Sequence, residues 1–315
     1  MGKKYEIGIL TYFKNEGNVI NEWLHHYRKW GVNHIWLIDN GSLDEYNVKQ
    51  FIDDGFITVW KEPTLGQCDS YNKYLEEIKK EVKWLGVFDM DEFLYSKEHP
   101  KISDAIRSIR ASRKGNPTAL HMIEIQMKIF LPGTFVSPTS IIESCTVLKE
   151  LDSAKHPKCL YNMDHMDKVS IHGHGLNIPE QKKYFVEGNG TILCINHYRY
   201  GSFEYIYGIK EGRGGGVHRN KYRNHVIVKS TNSDNDSSYM TDKYLKEHSD
   251  IWQQHIRPGI HLYPNSSWIF LKKNFPDKYD EFCHMNDNNN ILSAKQIHEI
   301  TKFLTYIRNT QRKER

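Results

Sequence analysis

From Tyr5 to Leu94 the chain repeats one pattern, a short apolar run, then a polar cluster, then an amphipathic stretch, and this repetition limits the fold more than any other feature. A short run that is apolar on both alternating faces is a strand buried on both sides, and parallel strands of that kind need a crossover helix between them. Ile7-Gly8-Ile9-Leu10 reads as the first strand, and Val19 to Trp30 as the first helix, with Ile20, Trp23, Leu24 and Tyr27 on one face. Gly31 stands where that helix should stop. His34 to Ile38 and Ile57 to Trp60 read as the next strands, Cys68 to Lys80 as helix, and Trp84 to Phe88 as a fourth strand. The pattern predicts an α/β fold, a central mostly parallel sheet flanked by helices. A polar cluster follows each strand, at the end where open α/β sheets bind their ligands.

Beyond about residue 115 the chain is richer in Gly, Pro, His and Thr, with β-like runs at Ala119–Phe130, Ser140–Leu148 and Thr191–Ile195 that extend the sheet. The polar stretch Ser230–Ser238 reads as a mobile loop or linker ahead of a C-terminal helical extension. This divides the chain into a domain over 1–225, itself made of halves 1–95 and 96–225, and an extension over 226–315.

Charge and cysteine usage narrow the partners. With 43 basic against 39 acidic residues, the net charge of +4 is too balanced for a sequence-independent nucleic-acid binder, and a local basic cleft for a small anion suits it better. The five cysteines are scattered and odd in number, so they read as reduced thiols rather than zinc ligands or a disulfide framework. The sequence shows neither a signal peptide nor an apolar run long enough to span a bilayer, and Met1-Gly2 lacks the Ser or Thr at position 6 of a myristoylation start, so the expected location is the cytoplasm.

The residues with most chemistry in them are Asp89, Met90, Asp91 and Glu92, directly after the fourth strand. Two carboxylates one residue apart at a strand end can hold magnesium or manganese together; the same acids would also serve as the polar end of a strand on a solvated turn. Asp39-Asn40-Gly41-Ser42-Leu43-Asp44 offers a carboxylate to a nucleobase or ribose, or is a turn and helix cap. Tyr12, Lys14, Asn15 and Glu16 follow the first strand, with an aromatic face for a base and polar groups beside it. Lys158 and the glycine-rich segment with Lys210 and Arg213 could close over a diphosphate, or be an ordinary flexible loop.

In order and spacing these segments resemble glycosyltransferase family 92 and its family 2-like relatives. The resemblance rests on Tyr12-Phe13-Lys14-Asn15-Glu16, Glu22-Trp23-Leu24-His25-His26-Tyr27 with Gly31-Val32, and Asp39 to Asp44. It continues with Gln67 and Asp69, Trp84 to Leu94, Pro157-Lys158-Cys159, Val169 to His172, Asn196-His197-Tyr198, and Lys210 to Gly214, about residues 5 to 215 in all. It implies a GT-A type fold, a UDP-sugar donor held in the 1–95 half by residues that include Gln67, Asp69 and Met90, a glycan acceptor held in the 96–225 half, and a manganese ion. The metal shell would be Asp89 and Asp91 completed by a histidine, His172 in preference to His197, each of which could equally be a hydrogen-bonded structural histidine. Hexose transfer with inversion would need a carboxylate base, for which Glu124 and Glu143 are candidates. Three other readings compete: a haloacid-dehalogenase-like phosphatase using Asp89 and Asp91, although Glu92-Phe93 replaces its usual Gly-Thr; a nucleotidyltransferase, which would want a basic glycine-rich loop after Leu10; and a non-catalytic sugar-binding module.

Overall fold

The computed structural model describes residues 2–112, 120–138, 140–146, 158–166, 170–172, 175–177, 192–199, 201–210, 267–285 and 292–313. The chain forms two compact units, Met1–Lys128 with Asp152–His197, and Ile129–Leu151 with Tyr198–Arg315. A boundary at 225 and the Ser230–Ser238 stretch both lie outside the described residues.

The first unit follows the predicted alternation: β1 (Tyr5–Phe13), α1 (Gly17–Lys29), β2 (His34–Asp39), α2 (Lys49–Asp53), β3 (Ile57–Lys61), α3 (Gln67–Glu81) and β4 (Val82–Val87). These four strands are parallel. Then come β5 (Glu92–Ser96), α4 (Ile102–Ser112), β6 (Met122–Ile125) and β7 (Met127–Ile129), at whose end the chain leaves this unit. The main sheet runs β3-β2-β1-β4 and is extended by β8 (Lys158–Asn162), antiparallel to β4, and then β6. β9 (Ser170–His172) and β10 (Gly175–Asn177) form a hairpin, and β11 (Leu193–His197) lies between β5 and β7 in a second sheet. The fold is therefore mixed α/β, with a mostly parallel core flanked by helices, as the apolar runs predict.

The main core joins Leu10, Trp36, Ile38, Leu85 and Val87 from the sheet to Tyr71, Leu75 and Ile78 of α3. Burying each large side chain of this kind contributes about 1.5–3 kcal/mol, which fixes α3 on its face of the sheet. Gly31, at a φ of 78°, ends α1 as predicted, because a left-handed residue lets the Val32 amide reach back to the Tyr27 carbonyl. Gly86 serves a different purpose: a Cβ there would lie 2.3 Å from the Phe88 ring, which folds back across β4 just before the acidic cluster.

The second unit has an aromatic and aliphatic core around Phe135, Phe203, Trp268, Phe282, Ile300 and Leu304. It includes α5 (Ile141–Ser144), a π-helical turn at Tyr205–Lys210, α6 (Ser267–Asn274), α7 (Pro276–His284) and α8 (Ala294–Lys313). Here one expectation fails. Within the β-like run Ser140–Leu148 the chain is helical over Ile141–Ser144, because the Ser140 hydroxyl caps the turn by accepting the Glu143 amide at 3.1 Å, a local bond that outweighs the β preference of two isoleucines. Among the described residues no helix is long and apolar enough to cross a membrane.

Candidate active site

In the main sheet the chain steps outward from β1 through β2 to β3, then returns to place β4 on the other side of β1. The carboxyl ends of β1 and β4 thus flank the switch point, where splayed connections leave a crevice in folds of this class. Asp89, Met90, Asp91 and Glu92 fill the turn from β4 into β5 at this point. The turn braces itself: the Glu92 amide donates to the Asp89 carbonyl, and the Asp89 amide donates to Glu92 Oε2, both at 3.0 Å.

The buried face of α1 holds the turn from outside. Trp23 Nε1 donates to the carbonyls of Glu92 at 2.9 Å and Asp89 at 3.1 Å. The Tyr27 hydroxyl donates to Glu92 O at 2.8 Å and accepts from the Leu94 amide at 3.1 Å, while His26 Nε2 sits 2.7 Å from Leu94 O. The spacing of Trp23, His26 and Tyr27 puts all three on one helix face.

Acidic side chains crowd this turn. Lys158 Nζ, from β8, lies 2.9 Å from Glu92 Oε2 and 3.4 Å from Asp89 Oδ2, with its side chain only 4% exposed. Burial alone would lower the ammonium's pKa, but Asp89 and Glu92 beside it outweigh burial and hold it above its ordinary value, so the lysine keeps its proton. Burial pushes the Glu92 carboxyl upward, against the pull of Lys158. Asp91 is buried too, with Oδ1 3.4 Å from Nε2 of His197. Asp89 and Asp91 thus crowd beside the Lys158–Glu92 pair, which makes the turn strongly acidic. A divalent cation is the natural complement, and one atom each from Asp91, Glu92 and His197 lie within 4.8 Å of one another, a separation suited to shared ligation.

His197 reaches the cluster through pairing: β11 runs antiparallel to β5 with His197 directly opposite Glu92, so both side chains leave the same face. Sequence reading ranks His197 behind His172, whose imidazole lies outside the described residues at the end of β9. It names Asp89 and Asp91 as the metal pair; the structure groups Asp91 with Glu92 and His197 and sets Asp89 beside Lys158. A signal for both was present, since Glu92 and His197 each stand at the end of an apolar run, but only long-range strand pairing shows that the two runs are neighbours.

The predicted donor residues divide. Lys158 joins the acidic turn. Met90 is wholly buried, so its side chain offers a ligand no surface. The Tyr12 hydroxyl donates to Leu65 O at 2.9 Å, and Gln67 Nε2 donates to the Tyr71 hydroxyl at 3.2 Å. Asp69 is exposed in the first turn of α3, and Lys14 is half-buried. Lys210 belongs to the second unit, where Nζ donates to Arg199 O at 2.6 Å, and Arg213 lies outside the described residues.

The loop after β2 is clasped to the loop after β1. Asn15, at a φ of 53°, receives the Leu43 amide on Oδ1 at 2.6 Å and donates its own amide to Ser42 Oγ at 3.0 Å. Glu16 is buried next to it, and the Asn40 amide donates to Phe13 O. Asp39 turns inward, accepting from the Ser42 amide on one oxygen and the Tyr46 hydroxyl on the other, both at 2.8 Å. Asp44 accepts the Gly17 amide at 2.6 Å, and burial raises its carboxyl from 3.8 to about 6.

The two candidate bases are also separated. Glu124 pairs with Cys159 across the β6–β8 ladder, so the pleat sends it to the face opposite that of Lys158, the next residue along. Glu143 lies in the first turn of α5, in the second unit. Burial raises both carboxyls.

Comparison with known proteins adds a family to this geometry. The chain is 23% identical over 209 residues to a glycosyltransferase family 92 protein of Ricinus communis, covering 62% of this chain and 35% of that one. A family 92 protein of Oryza sativa subsp. japonica is 23% identical over 217 residues, with coverages of 64% and 34%. The chain thus spans about a third of the length of the curated relatives it matches. Distant likenesses among solved structures include S. aureus TarS in complex with UDP-GlcNAc, with a TM-score of 0.40 and 13% identity over 78% of this chain and 73% of that one. Another is glucosyl-3-phosphoglycerate synthase from Mycobacterium tuberculosis in complex with Mn2+, UDP and glucosyl-3-phosphoglycerate, with a TM-score of 0.30 and 12% identity over 51% and 57%. The profile of glycosyltransferase family 92 matches residues 8–256, most of the sequence, and the chain belongs to that family.

Proposed function

We propose that this chain is a metal-dependent glycosyltransferase that moves a hexose from a UDP-sugar to a carbohydrate acceptor. Its family membership supports the reaction class, and the grouping of Asp91, Glu92 and His197 at the switch point carries the metal and donor reading. Asp91, Glu92 and His197 would hold manganese or magnesium, with Asp89, whose side chain is 29% exposed, at its open side. Such an ion supplies charge neutralisation to a departing diphosphate. Lys158 keeps a fixed positive charge under the turn and sets the orientation of Glu92 through Oε2. Asn15, Glu16 and the clasped loop wall the neighbouring end of β1, where the nucleoside would lie.

Inverting transfer needs a base on the side away from the diphosphate. Glu124 and Glu143 are the candidates for it, and burial raises both carboxyls. A screen of UDP-hexoses against oligosaccharide acceptors, following UDP release, tests the reading. Release that stops on chelation and returns with manganese is expected; phosphomonoester hydrolysis without UDP release would replace it with the phosphatase reading.

A further inference from the structure

We propose that Trp23 and Tyr27 of α1 are positioning residues that set the geometry of the Asp91–Glu92 pair for a divalent cation; this rests on the metal reading above. The second sheet runs β5-β11-β7, so β5 is an edge strand. Its β11 side is satisfied by the ladder, while the backbone groups of Glu92 and Leu94 on the other side have no partner strand among the described residues. α1 supplies that partner with side chains. The Tyr27 hydroxyl takes the place of a strand residue by donating to Glu92 O and accepting from Leu94 N, and His26 meets Leu94 O.

Two features go beyond closing an edge. The Glu92 carbonyl receives two donors, Trp23 Nε1 and the Tyr27 hydroxyl, on the very residue that offers a carboxylate to the cation. Trp23 also spans the turn, donating to both its first and last residues, Asp89 and Glu92. The rings that hold these donors are fully buried, with Trp23 and Tyr27 packed edge to face at 4.6 Å, so neither donor can drift. A turn pinned at both ends has little freedom in where it presents Asp91, and groups that orient metal ligands in this way typically govern affinity by 10–100-fold.

Mn2+ binding read by electron paramagnetic resonance, with no donor or acceptor present, tests the inference. Tyr27→Phe removes only the hydroxyl, Trp23→Phe removes the indole donor, and Ile78→Val in the α3 core serves as a control for lost stability. Both α1 variants should bind Mn2+ roughly tenfold more weakly, while Ile78→Val binds as the unaltered protein does. Should one α1 variant fail to fold, the other decides. Unchanged Mn2+ affinity in a folded α1 variant, or an equal loss in Ile78→Val, overturns the positioning role alone. Absence of Mn2+ binding in the unaltered protein rejects the metal reading and this inference with it.

Discussion

Two acidic loops flank the end of β1, one after β2 and one after β4, and they use their carboxylates in opposite ways. After β2, Asp39 and Asp44 turn back on the chain: the Ser42 amide and the Tyr46 hydroxyl take up both oxygens of Asp39, and the Gly17 amide takes up one oxygen of Asp44. After β4, Asp89, Asp91 and Glu92 gather in one place beside Lys158 and His197, and α1 holds the carbonyls of the turn from outside while the Asp89 amide and the Glu92 carboxylate brace it from within. An acid at the end of a strand is therefore ambiguous. Its meaning depends on whether the loop can satisfy it locally, and the β2 loop can because it carries a serine three residues on and a tyrosine seven on.

This contrast makes unequal demands on the two loops under mutation. The largest effect belongs to Asp91→Asn, which should weaken Mn2+ binding by more than the roughly 10–100-fold typical of outer groups, whereas Asp39→Asn should leave it unchanged; equal losses in calorimetric titrations would erase the distinction. Lys158→Met comes next. Removing the ammonium takes from the buried Glu92 carboxylate its partner at 2.9 Å, at a cost of about 3–5 kcal/mol in the metal-free protein, and urea unfolding should show much of this recovered when Mn2+ is added.

Asp44 yields a pH signature. Its folded carboxyl is raised to about 6 against 3.8 when free, so the folded state holds a proton that the unfolded state gives up. Its contribution to stability is therefore greatest below 3.8, is lost as pH rises to about 6, and is flat above that. Asp44→Asn should remove this slope from unfolding midpoints measured across the interval, and an unaltered slope would assign it to another group. Tyr12→Phe should have the smallest effect, about 0.5–1.5 kcal/mol from the hydrogen bond to Leu65 O, visible as a lower urea midpoint with Mn2+ binding intact.

What the sequence shows and hides follows the range of the interactions. The β1-to-β4 alternation is legible because each strand is apolar on both faces and each crossover is local, and Gly31 marks the end of α1 by its own conformation. Helix α5 is hidden because a single capping hydroxyl decides it against two β-branched residues. The pairing of β5 with β11 joins segments about a hundred residues apart, so no local pattern shows His197 facing Glu92. Trp23 and Tyr27 read as core residues, which their rings are; their polar atoms reveal a second purpose only once the edge of β5 lies beside them.

The central claim is that the turn over Asp89 to Glu92, completed by His197, holds a cation that in turn holds a nucleotide diphosphate. Calorimetric titration of UDP with and without Mn2+, into the unaltered protein and into Asp91→Asn, measures it most directly. The account predicts UDP binding that requires Mn2+ and disappears in the variant. UDP binding of equal strength without the metal, or unaffected by loss of Asp91, would contradict it.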